Sequence, residues 1–283
     1  MALLDLQTVL ARLYTDRAFR ALFFADPFAA CDGMPLTRTE RQQLVALDRI
    51  QVERFARSLR QKRLGLVREL LPATANVMRD RFEKFFFDYC DAQPSALERV
   101  DEALAFAAFL LDVGLTDPPY LPGCITCERL RLQALYVPSG PLAPCIDDPA
   151  PPLTPDACPQ CTAHIRVAAC RYDMETLYAR VACGETVEAQ PDACFVLIGK
   201  VRGAMRVRMK RINAPTAQLL LLCDGTRTLG EIMEEVARRI RLSDADKPPF
   251  AAECVTLLTP LVESGLLTLR GQTAPGECQG RRS

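Results

Sequence analysis

The stretch Phe195-Val-Leu-Ile-Gly199, followed by Met205-Arg-Val-Arg-Met-Lys-Arg211, decides how this chain is read. An apolar run, a turn around Arg202-Gly203 and a basic run alternating with Val207 and Met209 form the pattern of a β-hairpin. Asn213-Ala-Pro215 then opens a helix over Thr216 to Cys223, and Asp224-Gly225-Thr226 breaks it. Leu229, Ile232, Met233, Val236 and Ile240 recur at helical spacing. A third helix is expected from about Phe250 to Ser264, stopped by Gly265, with Leu266-Leu-Thr-Leu269 as a short strand.

Two strands, three helices and a strand is the element order of a winged-helix module. In such a module Met205 to Arg211 is an edge strand. Arg206, Arg208 and Lys210 then point one way, and Val207 and Met209 the other. An edge offers unpaired backbone to an extended peptide, and its basic residues favour an acidic one. Val255, Leu258 and Val262 on the last helix are candidate apolar contacts, although for most of them core packing is the better reading.

At 283 residues the chain suggests two domains. Residues 1–116 read as a helical bundle, with a Thr37–Glu40 capping box and one long helical pattern from Leu44 to Leu70 before Pro72. A Ser95–Glu98 capping box and a terminal Gly114 bracket the last helix of this half. Residues 117–163 hold more than half of the 21 prolines and read as a connector containing one short helix, Glu128 to Tyr136. Residues 164–271 form the winged-helix domain and 272–283 a disordered tail. The fold class is therefore α+β.

Net charge is zero, which argues against bulk nucleic-acid binding. No apolar run reaches the roughly 18 residues of a membrane span. The start, Met1-Ala-Leu-Leu-Asp5, lacks the pattern of a secretion signal, so the cytoplasm is expected. Six basic residues crowd 54–68, and Arg54, Arg57, Arg60 and Arg63 are candidates for docking an acidic partner; a solvated helix face is the alternative.

Thirteen cysteines accompany one histidine, His164. A single imidazole cannot build a hydrolytic zinc or non-haem iron site of the usual kind. Cys124-x-x-Cys127 and Cys158-x-x-Cys161 have the form of two halves of a structural zinc site. Their separation is longer than usual, Cys145 and Cys170 could substitute as ligands, and empty thiols or a redox-active pair are the alternatives. No phosphate-binding loop, dinucleotide fingerprint or nucleophile elbow occurs, so no active site is expected in this chain.

The phrases "NAPTAQLLLLCDGTRTLGEIMEEV" and "LLTPLVESGLL" resemble the peptide-recognition element of modified-peptide biosynthesis, whose fold is that of the small peptide chaperone of the pyrroloquinoline quinone pathway. The phrases "RFARSLRQKRLGLVRELLP" and "RFEKFFFDY" resemble the N-terminal part of partner subunits of multinuclear non-haem iron enzymes. "CRYDMETLYA" with "FVLIGKVRGAMRVRMKRI" resembles their C-terminal half. The similarity is to the partner of the thiaglutamate pathway, and more loosely to that of methanobactin. The resemblance implies a non-catalytic subunit that binds a precursor peptide, while an iron enzyme bound to it carries out the oxidation. The paired cysteines depart from that pattern. A winged-helix transcription regulator with a cysteine zinc site is the rival reading.

Overall fold

The structure, a computed structural model, describes residues 2–94, 97–136, 152–200 and 205–270. It is of mixed α+β type, and the chain divides into two compact units, Met1–Arg129 with Arg180–Val187, and Leu130–Ala179 with Glu188–Ser283. The expected 272–283 tail lies outside the described residues, as do the connector prolines from Pro138 to Pro151. No helix among the described residues is long and apolar enough to cross a membrane.

The first unit is helical: α1 (Ala2–Thr15), α2 (Arg17–Ala25), α3 (Pro27–Ala30), α4 (Arg38–Val45), α5 (Arg49–Leu70), α6 (Pro72–Met78), α7 (Asp80–Ala92), α8 (Arg99–Val113) and the start of α9 (Leu121–Tyr136). Short polar side chains set four of the starts, those of α2 to α5. Asp16 caps α2 through the Phe19 N–H, and the Thr37–Glu40 capping box opens α4 as expected. The single long helix expected here is instead two. Asp48 accepts from the N–H groups of Ile50 and Gln51, so α5 starts afresh after a break at residues 46–48. Gly114 closes α8 in the left-handed region, φ 73°. Ser95 of the second expected capping box lies outside the described residues; α8 begins after Glu98, whose side chain makes no capping bond.

Two apolar clusters hold this unit. Val9, Leu13, Phe19, Phe23, Leu44 and Val52 join α1, α2, α4 and α5. Phe82, Phe86 and Phe106 are fully buried where α7 meets α8, with edge-to-face rings 5.2 Å apart. Helix α9 begins seven residues before the expected Glu128, so it takes in Cys124 and Cys127.

The second unit holds two small antiparallel sheets. β2 (Ile165–Cys170), β3 (Cys194–Lys200) and β4 (Val207–Ile212) lie in the order β2-β3-β4, with α10 (Met174–Ala182) leading towards β3. Val167 sits opposite Leu197, and Phe195 opposite Ile212. Val167, Leu197 and Ile212 pack on a core of Leu219, Leu220, Leu229, Ile232, Val236 and Leu258. These come from α11 (Ala214–Leu222), α12 (Leu229–Arg239) and α13 (Lys247–Glu263). Asn213 caps α11, and a Thr228–Glu231 capping box opens α12.

The second sheet was not expected. β1 (Cys158–Cys161), within the supposed connector, pairs with β5 (Leu267–Arg270). Asp224-Gly225-Thr226 breaks the helix as expected, and Gly225 has φ +79°. A Cβ there would lie 3.1 Å from the Arg270 and Gln160 side chains, so the strand pair presses on the turn.

Candidate peptide-binding site

β4 is one of the two edge strands of its sheet among the described residues, β2 being the other. It begins two residues later than expected, at Val207, leaving Met205 and Arg206 exposed before it. Arg208 and Lys210 are exposed, while Val207 and Met209 are half-buried, so the expected alternation holds. The Arg211 N–H turns away from β3 and donates to Glu175 Oε2 at 2.7 Å. By the period of two, Val207 and Met209 also turn their backbone groups outward. Those are the positions at which an extended segment could add as a strand.

Two of the expected contact residues already have other partners in the structure. The Arg211 guanidinium is already held by Asp192, with bonds of 2.5 and 3.0 Å, and lies 3.9 Å from Asp173. The bond and charge of Asp192 keep the guanidinium pKa above its usual range, and Arg211 in turn holds the Asp192 carboxyl below its own. Arg211 therefore organises the end of β4, and an incoming acid would have to compete with Asp192 for it. Leu258 is fully buried among Leu229, Ile232 and Val236, so it cannot contact a peptide without opening the core. Val255 and Val262 are half-buried against the same core. Ile212 shares that core, which ties the end of β4 to α13.

The basic residues of α5 do not form one face. Arg63 turns inward, where its guanidinium grips the Glu102 carboxylate: Nε lies 2.9 and 3.1 Å from the two oxygens, and Nη2 bonds Oε1 as well. Burial alone would lower the Arg63 pKa, but the Glu102 bond and charge raise it. Arg60 is bonded to Asp91. Arg54 lines a hollow with Tyr14 and Phe55, whereas Arg57 faces a different one beside Arg60. Nothing in the spacing of four basic residues along one helix revealed this division. It depends on acids from α7 and α8, thirty or more residues away.

Cys124 and Cys127 lie within α9, both fully buried. Cys158 and Cys161 are the ends of β1 and half-buried. Among the described residues no three His, Cys, Asp or Glu side chains gather as a metal-binding group. The helical and strand settings differ from the loop knuckles expected of the two pairs. The Cys161 thiol lies 3.4 Å from the Leu220 carbonyl and beside Cys223. A bond to Cys161, then burial, pushes the Cys223 thiol pKa up. His164 Nδ1 is 2.9 Å from the Ala134 carbonyl, a bond that fixes the ring.

Against known proteins, a family described as "SCO6045-like, C-terminal domain" matches residues 46–112, which run from the end of α4 to α8. That is about a quarter of the chain. No curated protein matches it.

Proposed function

We propose that this chain is a non-catalytic partner subunit that captures a ribosomally made precursor peptide on β4. It presents the cysteine-containing C-terminus of that peptide to a multinuclear iron-dependent oxidative enzyme bound to it. The second unit acts as a winged-helix peptide-recognition element, and the helical unit carries the contact with the enzyme. Iron and oxygen chemistry belong to that enzyme.

The observation that carries this reading is the open margin of β4. Outward backbone groups at Val207 and Met209 stand beside exposed Arg206, Arg208 and Lys210. Backbone pairing would supply affinity, and the basic side chains a preference for acidic sequence. The test is fluorescence anisotropy with a labelled short acidic peptide encoded beside the gene for this chain. The double substitution Arg208→Glu and Lys210→Glu is expected to weaken binding tenfold or more. Both side chains are exposed, so the fold should persist, as circular dichroism will check. Unchanged binding in the double variant, with the fold intact, overturns the proposal.

A further inference from the structure

The helical unit contains a second feature that the peptide reading does not use. A cleft of about 560 Å³ opens beside α2, α5 and α7. Arg17 and Arg20 enter it from α2, and Arg49, Arg57 and Arg60 from α5. Phe87 of α7 forms an apolar wall. On α5 the spacing 49, 53, 57, 60 puts these side chains on one face of the helix.

The local charge is far from balanced. Glu53 is bonded to Arg49 at 2.8 Å. Asp91 serves both Arg60, by a direct bond, and Arg17, at 3.5 Å. Arg20 donates through Nη1 to the Leu13 carbonyl at 2.8 Å, an acceptor without net charge. Arg57 makes no ion pair among the described residues. Five guanidiniums thus have two directly paired carboxylates, with Asp16 acting on Arg20 at longer range. Burial lowers the pKa values of Arg20 and Arg60; neighbouring arginines add to the lowering, while at Arg20 the Glu53 charge opposes it. Gathering like charges in a concave, partly desolvated place costs free energy in the empty protein, and a bound anion would recover it.

We infer that this cleft is a binding site for a compact, multiply charged phosphoryl anion, held by Arg17, Arg20, Arg57 and Arg60. Every cationic lining residue is arginine, whose planar fork bonds phosphate oxygens in pairs. The volume suits one small molecule. A duplex would need a long basic stripe instead, and the chain as a whole carries no net charge. An acidic protein segment would engage a wider face, but on the same helix Arg54 opens elsewhere and Arg63 turns inward onto Glu102.

The experiment is isothermal titration of the full chain with inorganic pyrophosphate at low salt, repeated in 0.3 M NaCl. ADP is the second probe and a glutamate-rich peptide the third. Pyrophosphate should bind saturably at one site, more weakly in salt. Arg57→Ala and Arg17→Ala should each lower affinity about tenfold or more, the scale of a lost charge-assisted bond. Arg54→Ala, outside the cleft, should leave it unchanged. Either order of affinity between pyrophosphate and ADP agrees with the site and shows whether the phosphates arrive free or on a nucleotide. The inference is overturned if no saturable binding appears, or if the cleft variants bind as well as the parent. It is also overturned if only the acidic peptide binds and pyrophosphate does not compete with it.

Discussion

Replacing Glu128 by alanine should be among the most damaging single changes in the helical unit. Glu128 is fully buried on α9. Its Oε1 accepts from the Ala73 N–H at 2.7 Å and its Oε2 from the Thr74 N–H at 3.0 Å. Those amides belong to the first turn of α6, whose own N-cap, Leu71, supplies no side-chain bond. A carboxylate from a distant helix therefore does the work usually done by a local serine or aspartate. Removing it strands two buried donors, at about 1–3 kcal/mol each, and loses a favourable charge at the positive end of the helix, about 0.3–1 kcal/mol more. Partial compensation by water brings the expected loss to about 3–4 kcal/mol. Urea unfolding followed by circular dichroism measures it as a lowered midpoint at unchanged slope. Glu128→Gln keeps one oxygen and should cost about half as much. A loss below about 1 kcal/mol for the alanine variant would show that α6 does not depend on this carboxylate.

Four further outcomes follow from the packing. Arg63→Met should cost about 3–5 kcal/mol, because it leaves Glu102 buried and charged; a melting temperature equal to the parent's would contradict that. Tyr89→Phe removes a buried hydroxyl with no hydrogen-bond partner among the described residues, so at neutral pH it should be neutral or mildly stabilising. Burial, then the Glu102 charge, pushes the Tyr89 phenol from 10.0 to about 12, above its unfolded value. The stability tied to that proton is complete below pH 10 and lost as pH rises towards about 12, so the variant should flatten the alkaline decline in melting temperature. Arg79 holds φ 51° between α6 and α7, a conformation costly for a residue with a Cβ. Arg79→Gly should raise stability by up to about 1 kcal/mol, less whatever its bond to Thr186 contributes; a clear loss would place the weight on that bond. Cys183 is exposed, and Cys183→Ser should remove one rapidly reacting equivalent in a thiol titration with Ellman's reagent; an unchanged fast phase would mean the site is shielded.

What could be read from the sequence was local. The Thr37–Glu40 box, the Gly114 stop, the Asp224-Gly225 break and the β3–β4 hairpin each rest on residues within a few positions of one another. Asp48 carried a legible cap signal that the strong apolar period from Leu44 to Leu70 outweighed. β1 was missed because Cys158-Pro-Gln-Cys161 has the form of a metal knuckle, and its pairing partner lies at the far end of the chain. The candidate site divides the same way. The alternation of Val207 and Met209 with Arg208 and Lys210 was legible, whereas the commitment of Arg211 to Asp192 was not. Similarly, the inward turn of Arg63 depends on Glu102, thirty-nine positions on.

The pairing of Cys158 with Arg270 places the two strands of one ribbon on either side of nearly everything else in the second unit. During synthesis from the N-terminus, β1 leaves the ribosome more than a hundred residues before β5 exists. Joining them closes a loop of about 110 residues, whose entropic cost must be met before the contacts are made. The hairpin and the three helices can form meanwhile, but the ribbon is the last seam. A nascent chain arrested before Leu267 would hold β1 paired only to the turn at 223–225, its β5-facing edge open to any other extended backbone within reach.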